Sequence, residues 1–164
     1  MDPERPERPA QLDNDANAAL SARDPWREPV PRPLQPIRDR VKRGLHLSRR
    51  ALVPAYQFAR KNPDDPRPWL LLGAAYAQAD WFSDSVERYL RAYQVDSTSR
   101  GDPQMLADLL KAAAHPVAGR AAARAIRDIY GVEAIPALEQ ALEHRRGDPE
   151  ATARLTRLRE SLPH

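Results

Sequence analysis

The stretch PWLLLGAAYAQADWFSDSVERYLRAYQVDS, residues 68–97, decides the fold. It has aromatic residues at uneven intervals, one glycine among helix-forming residues, and small residues where a core usually takes larger ones. We interpret it as a helical hairpin whose helices cross at Gly73, because a side chain larger than a methyl group would push the partner helix away. Trp69 and Tyr76 then fill the space between this hairpin and the next.

On both sides of this stretch the chain has the same helical character. From residue 37 onward, apolar residues recur at helical spacing, and no window alternates with the period of a strand. Asp102-Pro103 and Asp148-Pro149 each place a capping acid before a proline, which is typical of a helix start. The predicted helices are 36–46, 49–61, 67–79, 82–95, 103–114, 117–130, 132–145 and 148–162.

Small residues recur at the period of a helical repeat of about 34 residues. At that spacing the second helices have Ala51, Ser85, Gly119 and Ala153, and the first helices have Asp39, Gly73, Ala107 and Ala141. All but Asp39 are Ala, Gly or Ser, the residues that allow close packing of helices. The spacing predicts four hairpins in one uninterrupted register from residue 32 to the end.

The residues of the opening stretch carry a resemblance. Trp69, Leu72, Gly73 and Tyr76 match the start of the tetratricopeptide repeat (TPR) pattern, and its later places follow at Phe82, Ser85, Tyr89 and Ala92. Residues 32–162 resemble TPRs, and the run from Asp65 to Pro116 is similar to the helical-repeat tail of some multidomain bacterial serine/threonine kinases, although no kinase motif is present. The resemblance implies an all-α solenoid of about four TPR-like hairpins over 36–164.

The resemblance also implies a function. It indicates a non-enzymatic scaffold or adaptor, in bacterial signalling, that binds a partner protein or peptide in a concave groove lined by the first helices. The groove residues it implies are Arg40, Arg43, Arg67, Leu70, Ala74, Gln78, Gln104, Asp108 and Lys111. Leu70 and Ala74 stand where the versions that clamp chaperone tails place Lys and Asn, so we expect a different acidic partner.

The positive charge is concentrated in one element. Residues 1–36 carry a net charge of −2, residues 37–62 carry +7 and residues 63–164 carry −2. The predicted basic patch comprises Arg38, Lys42, Arg49 and Arg50, with further cations at Arg40, Arg43, Arg60 and Lys61.

This basic patch has three possible roles. It is the solvated face of a capping helix pair, a binding face for an acidic protein or peptide, or a contact for a polyanion such as nucleic acid or for a membrane surface. The sequence leaves these roles open, although no aromatic residues interleave the charges to form a platform for base stacking. Trp81, in the turn of the second repeat, is expected to pack partly buried.

The N-terminal part has a different composition. Residues 1–35 are rich in proline and lack a periodic apolar face, which predicts a disordered tail. The first residues are acidic and have no apolar segment of a signal peptide, and no apolar run reaches the roughly 18 residues of a membrane span. These features predict a cytoplasmic protein.

Few residues are candidates for chemistry. The chain has no cysteine, and its four histidines lie in separate segments without the spacing of metal ligands. No serine has the context of a nucleophile, and no glycine-rich loop could hold a phosphate. We therefore expect no catalytic residue, no metal and no cofactor.

Overall fold

The computed structural model describes residues 30–163, which are all-helical and contain no strand. The helices are α1 (Gln35–Lys42), α2 (Val53–Lys61), α3 (Arg67–Gln78), α4 (Phe82–Val95), α5 (Pro103–Ala114), α6 (Gly119–Ile129), α7 (Ile135–His144) and α8 (Pro149–Ser161). Short 3₁₀ turns lie at Arg32–Leu34, Arg50–Leu52, Ser97–Gly101 and Gly131–Ala134. None of the helices in this part of the chain has the length and apolarity needed to cross a bilayer.

The prediction of eight helices and no strand is confirmed for the described residues, and several bounds differ. The predicted helix 36–46 ends at Lys42, because Gly44 adopts a φ of 69° that closes the helix with a turn. The amide of Gly44 donates to the carbonyl of Val41 at 3.0 Å. Leu45 therefore lies outside the helix and is exposed.

Most helices pack against their neighbours in sequence and against the helix two places on. The pairs α3–α4 and α5–α6 are the most closely packed, and α7 packs against α8. The odd-numbered helices α1, α3, α5 and α7 pack in succession, and α4 packs against α6. The helix α8 also returns to contact α5, which brings α5, α7 and α8 together.

Two apolar clusters form the core. One runs from Val30 through α1 and α2 to α3, and the other runs from α3 and α4 to the last helix. Trp69 packs against both clusters and meets Tyr56 edge-on at a centroid distance of 6.1 Å. Trp69 therefore fills space between the two clusters.

The close approach at Gly73 is also present. Ser85 on α4 donates from its hydroxyl to the carbonyl of Gly73 at 2.8 Å. A Cβ atom at residue 73 would lie 2.8 Å from ring carbons of Tyr89, a distance that real Cβ contacts essentially never show. Only glycine lets α3 and α4 pack at this distance.

The predicted uninterrupted register holds only in part beyond this hairpin. Gly119, a predicted small position, is buried, and a Cβ atom there would lie 2.9 Å from the carbonyl oxygen of Ala113 on α5. Ala107, predicted to lie where helices cross, is instead exposed.

The packed part of the chain begins before the predicted boundary at residue 36. Val30 is buried, and Leu34 is fully buried in the first cluster. The turn Arg32–Leu34 packs against α2, whereas α1 and α2 contact each other little. The rest of the predicted disordered tail, residues 1–29, lies outside the described residues.

Candidate functional site

The candidate site is an open cavity of about 560 Å³ between α5, α7 and α8. We call it the α5–α7 groove. Its apolar lining is Leu106, Ala107 and Leu110 of α5, Ala137 and Ala141 of α7, and Leu155 of α8.

The local sequence explains how α5 presents this lining. Asp102 caps the helix by accepting from the amide of Gln104 at 2.8 Å, and Pro103 occupies the first turn. Met105 and Leu109 are fully buried on the core side of α5. Leu106, Ala107 and Leu110 border the cavity; Leu106 is partly exposed and Ala107 is exposed, whereas Leu110 is buried.

Small side chains keep the groove open. Ala107 on α5 and Ala141 on α7 reach only as far as a methyl group. The buried Leu155 of α8 contributes apolar surface to the lining. The space is therefore bounded by apolar atoms, and its volume is in the range of ligand-binding pockets, about 300–1,000 Å³.

The polar residues at the groove are mostly basic. Lys111 is exposed at the end of α5, and Arg145 follows α7. Within residues 30–163, neither forms an ion pair. His144 lies beside them with its Nδ1 atom 2.7 Å from the carbonyl oxygen of Gln140. The groove thus combines apolar surface with cations available to a carboxylate.

The structure does not bring the predicted groove residues together. Lys111 lines the α5–α7 groove, whereas Gln78 and Gln104 line a different cavity of about 470 Å³ near the end of α1. Arg40 and Arg43 are exposed on α1 and the turn that follows it.

Several other predicted groove residues serve the fold, which corrects the prediction for them. Leu70 and Ala74 are buried in the core, where a partner cannot reach them. Arg67 forms an ion pair with Asp65, with 2.6 Å between Nη2 and Oδ2. Gln78 donates from Nε2 to the carbonyl of Val41 at 2.6 Å and so ties α3 to α1.

Asp108 is also buried, within a hydrogen-bonded network. Its carboxylate accepts from the Tyr89 hydroxyl at 2.6 Å and from Nε2 of Gln104 at 2.8 Å. Burial raises the pKa of Asp108, although both hydrogen bonds and the charge of Lys111 act to lower it. The network links α4 to α5 rather than facing a partner.

The predicted basic patch is only partly free. Arg38 is half-buried and pairs with Asp39 at 2.9 Å. Arg49 lies over the ring of Trp81, with its guanidinium carbon 4.9 Å from the centroid, and lies 3.7 Å from the Asp84 carboxylate. Lys42 and Arg50 are exposed without an ion pair in the described part of the chain.

Sequence reasoning missed most of the groove lining. Leu106, Leu110 and Ala137 were not among the predicted site residues. Ala107 and Ala141 were identified as small positions, but for helix crossing rather than for an open surface. Residues 30–163 contain no group of three or more His, Cys, Asp or Glu side chains that could hold a metal ion.

The sequence matches no protein-family model, and no match was found among curated proteins or among solved structures.

Proposed function

We propose that the chain is a non-enzymatic protein-binding module that holds a partner peptide in the α5–α7 groove. In this proposal the helices form an α-solenoid of TPR-like hairpins, and the groove lies on the side lined by first helices. The contacts between successive odd-numbered helices support this arrangement. The bacterial signalling context, the kinase-tail resemblance and the cytoplasmic location stay predictions.

The observation that carries the proposal is the open apolar groove. A contiguous apolar surface left uncovered on a protein often marks a binding site. Here Leu106, Ala107 and Ala137, which all keep some exposed surface, border a space of about 560 Å³. Apolar side chains of a partner would leave water by entering this space, at about 25 cal/mol for each Å² of apolar surface buried.

The charges define the kind of peptide. Lys111 and Arg145 carry positive charge beside the apolar lining, and no acidic side chain lines the groove in the described residues. A carboxylate of the partner is attracted to these cations, whereas acidic side chains in the groove would repel it. The occupant we propose is therefore a short peptide with apolar side chains for the groove and Asp or Glu residues for its basic edge.

Selection of peptides that bind the full chain from a displayed random library tests this proposal. We expect the selected peptides to combine apolar residues with Asp or Glu. In Ala107→Trp the indole should fill the groove and raise the Kd of a selected peptide by about tenfold or more, which corresponds to about 1.4 kcal/mol. Fluorescence anisotropy of the labelled peptide measures this Kd.

The matched control is Ala121→Trp, which places the same side chain at an exposed position of α6 outside the groove. It should leave the Kd unchanged, and both variants should melt like the unmodified chain because both positions are exposed. Peptides without an acidic or apolar bias, or equal Kd values for the two tryptophan variants, would refute the proposal.

A further inference from the structure

The first part of the described chain exposes many cations that have no acidic partner. Residues 37–62 contain eight Lys or Arg and one Asp. Six of the eight cations are exposed and form no ion pair within residues 30–163: Arg40, Lys42, Arg43, Arg50, Arg60 and Lys61. Unpaired charge of one sign indicates a surface that attracts the opposite sign.

Exposed apolar residues lie among these cations in the sequence. Leu45 is 40% exposed and Val53 is 43% exposed, and they stand four residues before and after Arg49. Arg49 in turn lies over Trp81, which is 37% exposed in the α3–α4 turn. The contact between Arg49 and Trp81, together with the 3.7 Å approach of Arg49 to Asp84, places Arg49 beside the α3–α4 turn.

We propose that this surface docks on a lipid bilayer that contains anionic headgroups. We call the surface the cationic face and define it by Arg40, Lys42, Arg43, Arg50, Leu45, Val53 and Trp81. Cations near an anionic bilayer are attracted to its headgroups, and each adds to the binding. Exposed Leu, Val and Trp side chains insert at the level of the headgroups, so that charge and apolar contact act together.

The details favour a bilayer over nucleic acid. Proteins that bind single strands use free aromatic faces on which bases stack. Here one face of Trp81 is covered by Arg49, and the ring also contacts Tyr76 at a centroid distance of 5.7 Å. The exposed side chains of Leu45 and Val53 would make no favourable contact with a phosphate backbone, whereas they can insert into the interfacial region of a bilayer.

Cosedimentation of the full chain with vesicles tests the proposal. We expect binding to vesicles that contain phosphatidylcholine and phosphatidylserine, and none to vesicles of phosphatidylcholine alone. The double variant Arg43→Glu with Arg50→Glu should weaken binding to the anionic vesicles by about tenfold or more, because it reverses two charges of the cationic face. Arg49 is left intact because it holds Trp81.

The matched control is Arg120→Glu with Arg157→Glu, which makes the same change in net charge at exposed positions of α6 and α8. This control should retain vesicle binding. The variant Leu45→Ser with Val53→Ser keeps every charge, and we expect it to bind the anionic vesicles more weakly while circular dichroism shows unchanged helix content.

Three outcomes would overturn the proposal. The first is equal binding to neutral and anionic vesicles. The second is an equal loss for the two charge-reversed pairs, which would indicate net charge alone. The third is binding to a short DNA duplex, with steep salt dependence, but not to vesicles, which would assign the surface to a nucleic acid.

Discussion

Gly73 shows how much one residue decides in this fold. The sequence indicated that nothing larger than a methyl group fits at this position, and the structure leaves no room even for the methyl group. A Cβ atom would lie 2.8 Å from the Tyr89 ring. That ring is fully buried, and its hydroxyl donates a hydrogen bond to Asp108, so the ring cannot easily move away from an added methyl group.

We expect Gly73→Ala to destabilise the protein by about 1–3 kcal/mol, because overpacking exceeds the gain of roughly 1 kcal/mol in helix propensity. Gly147→Ala is the control, because a Cβ atom there meets nothing within 4 Å. Urea unfolding measures both free energies. If the two variants were equally stable, α3 and α4 would not pack as closely as described.

Asp108 makes stability depend on pH. Burial raises the pKa of Asp108 above the ordinary value of 3.8, so the folded protein binds this proton more tightly than the unfolded chain does. Its favourable contribution is complete below the pKa of the unfolded chain and is lost as the pH rises through the folded pKa. At neutral pH the ionised group therefore lowers the stability of the fold.

The variant Asp108→Asn removes this titration and keeps an oxygen that can accept from Tyr89. We expect its stability relative to the unmodified chain to increase from acidic to neutral pH in urea unfolding. Asp108→Ala should instead lose about 1–3 kcal/mol, because it leaves the Tyr89 hydroxyl buried without this acceptor. A pH-independent difference between Asp108→Asn and the unmodified chain would contradict this account.

At the scale of helices, local signals in the sequence account for most of the structure. The bounds of α4 and α5 agree with the predicted 82–95 and 103–114. The apolar period of both helices, and the Asp102 cap and Pro103 at the start of α5, are local signals. The end of α1 was predicted too late, because the left-handed conformation of Gly44 cannot be read from spacing alone.

The groove depends on packing between distant segments, which local signals do not encode. Ala107, which the repeat period placed at a helix crossing, lies at the surface instead. The helices α7 and α8, which border the cavity beside it, follow α5 much later in the sequence. A fixed period therefore predicted the small positions but not the surface that one of them borders.

The cap of α8 is a feature of one element that can be tested alone. Asp148 is exposed and accepts from the amide of Ala151 at 3.0 Å. Asp148→Ala should lower the free energy of unfolding by about 0.5–2 kcal/mol, whereas Asp148→Asn should stay close to the unmodified chain. If only Asp148→Ala speeds hydrogen exchange of the Ala151 amide, the loss of stability comes from the lost cap. Equal exchange rates at Ala151 in the two variants would show that the cap does not stabilise α8.

At the scale of the whole molecule, the two proposed surfaces rest on different parts of the core. The cationic face borders the first cluster, through Leu47 and Leu52, and the α5–α7 groove borders the second, through Leu110 and Leu155. Trp69 joins the clusters without lining the groove. The two proposed surfaces share no residue, so the proposals predict that a peptide and a bilayer do not compete for the chain.

The most direct test of peptide binding in the groove is a hydrogen-exchange footprint of the full chain with a selected peptide bound. The account predicts slower exchange in α5 and α7, at residues 103–111 and 135–145, and no change in the segment 43–53. Protection confined to 43–53, or a saturating peptide that slows exchange in neither α5 nor α7, would contradict the central claim that the groove is the binding site.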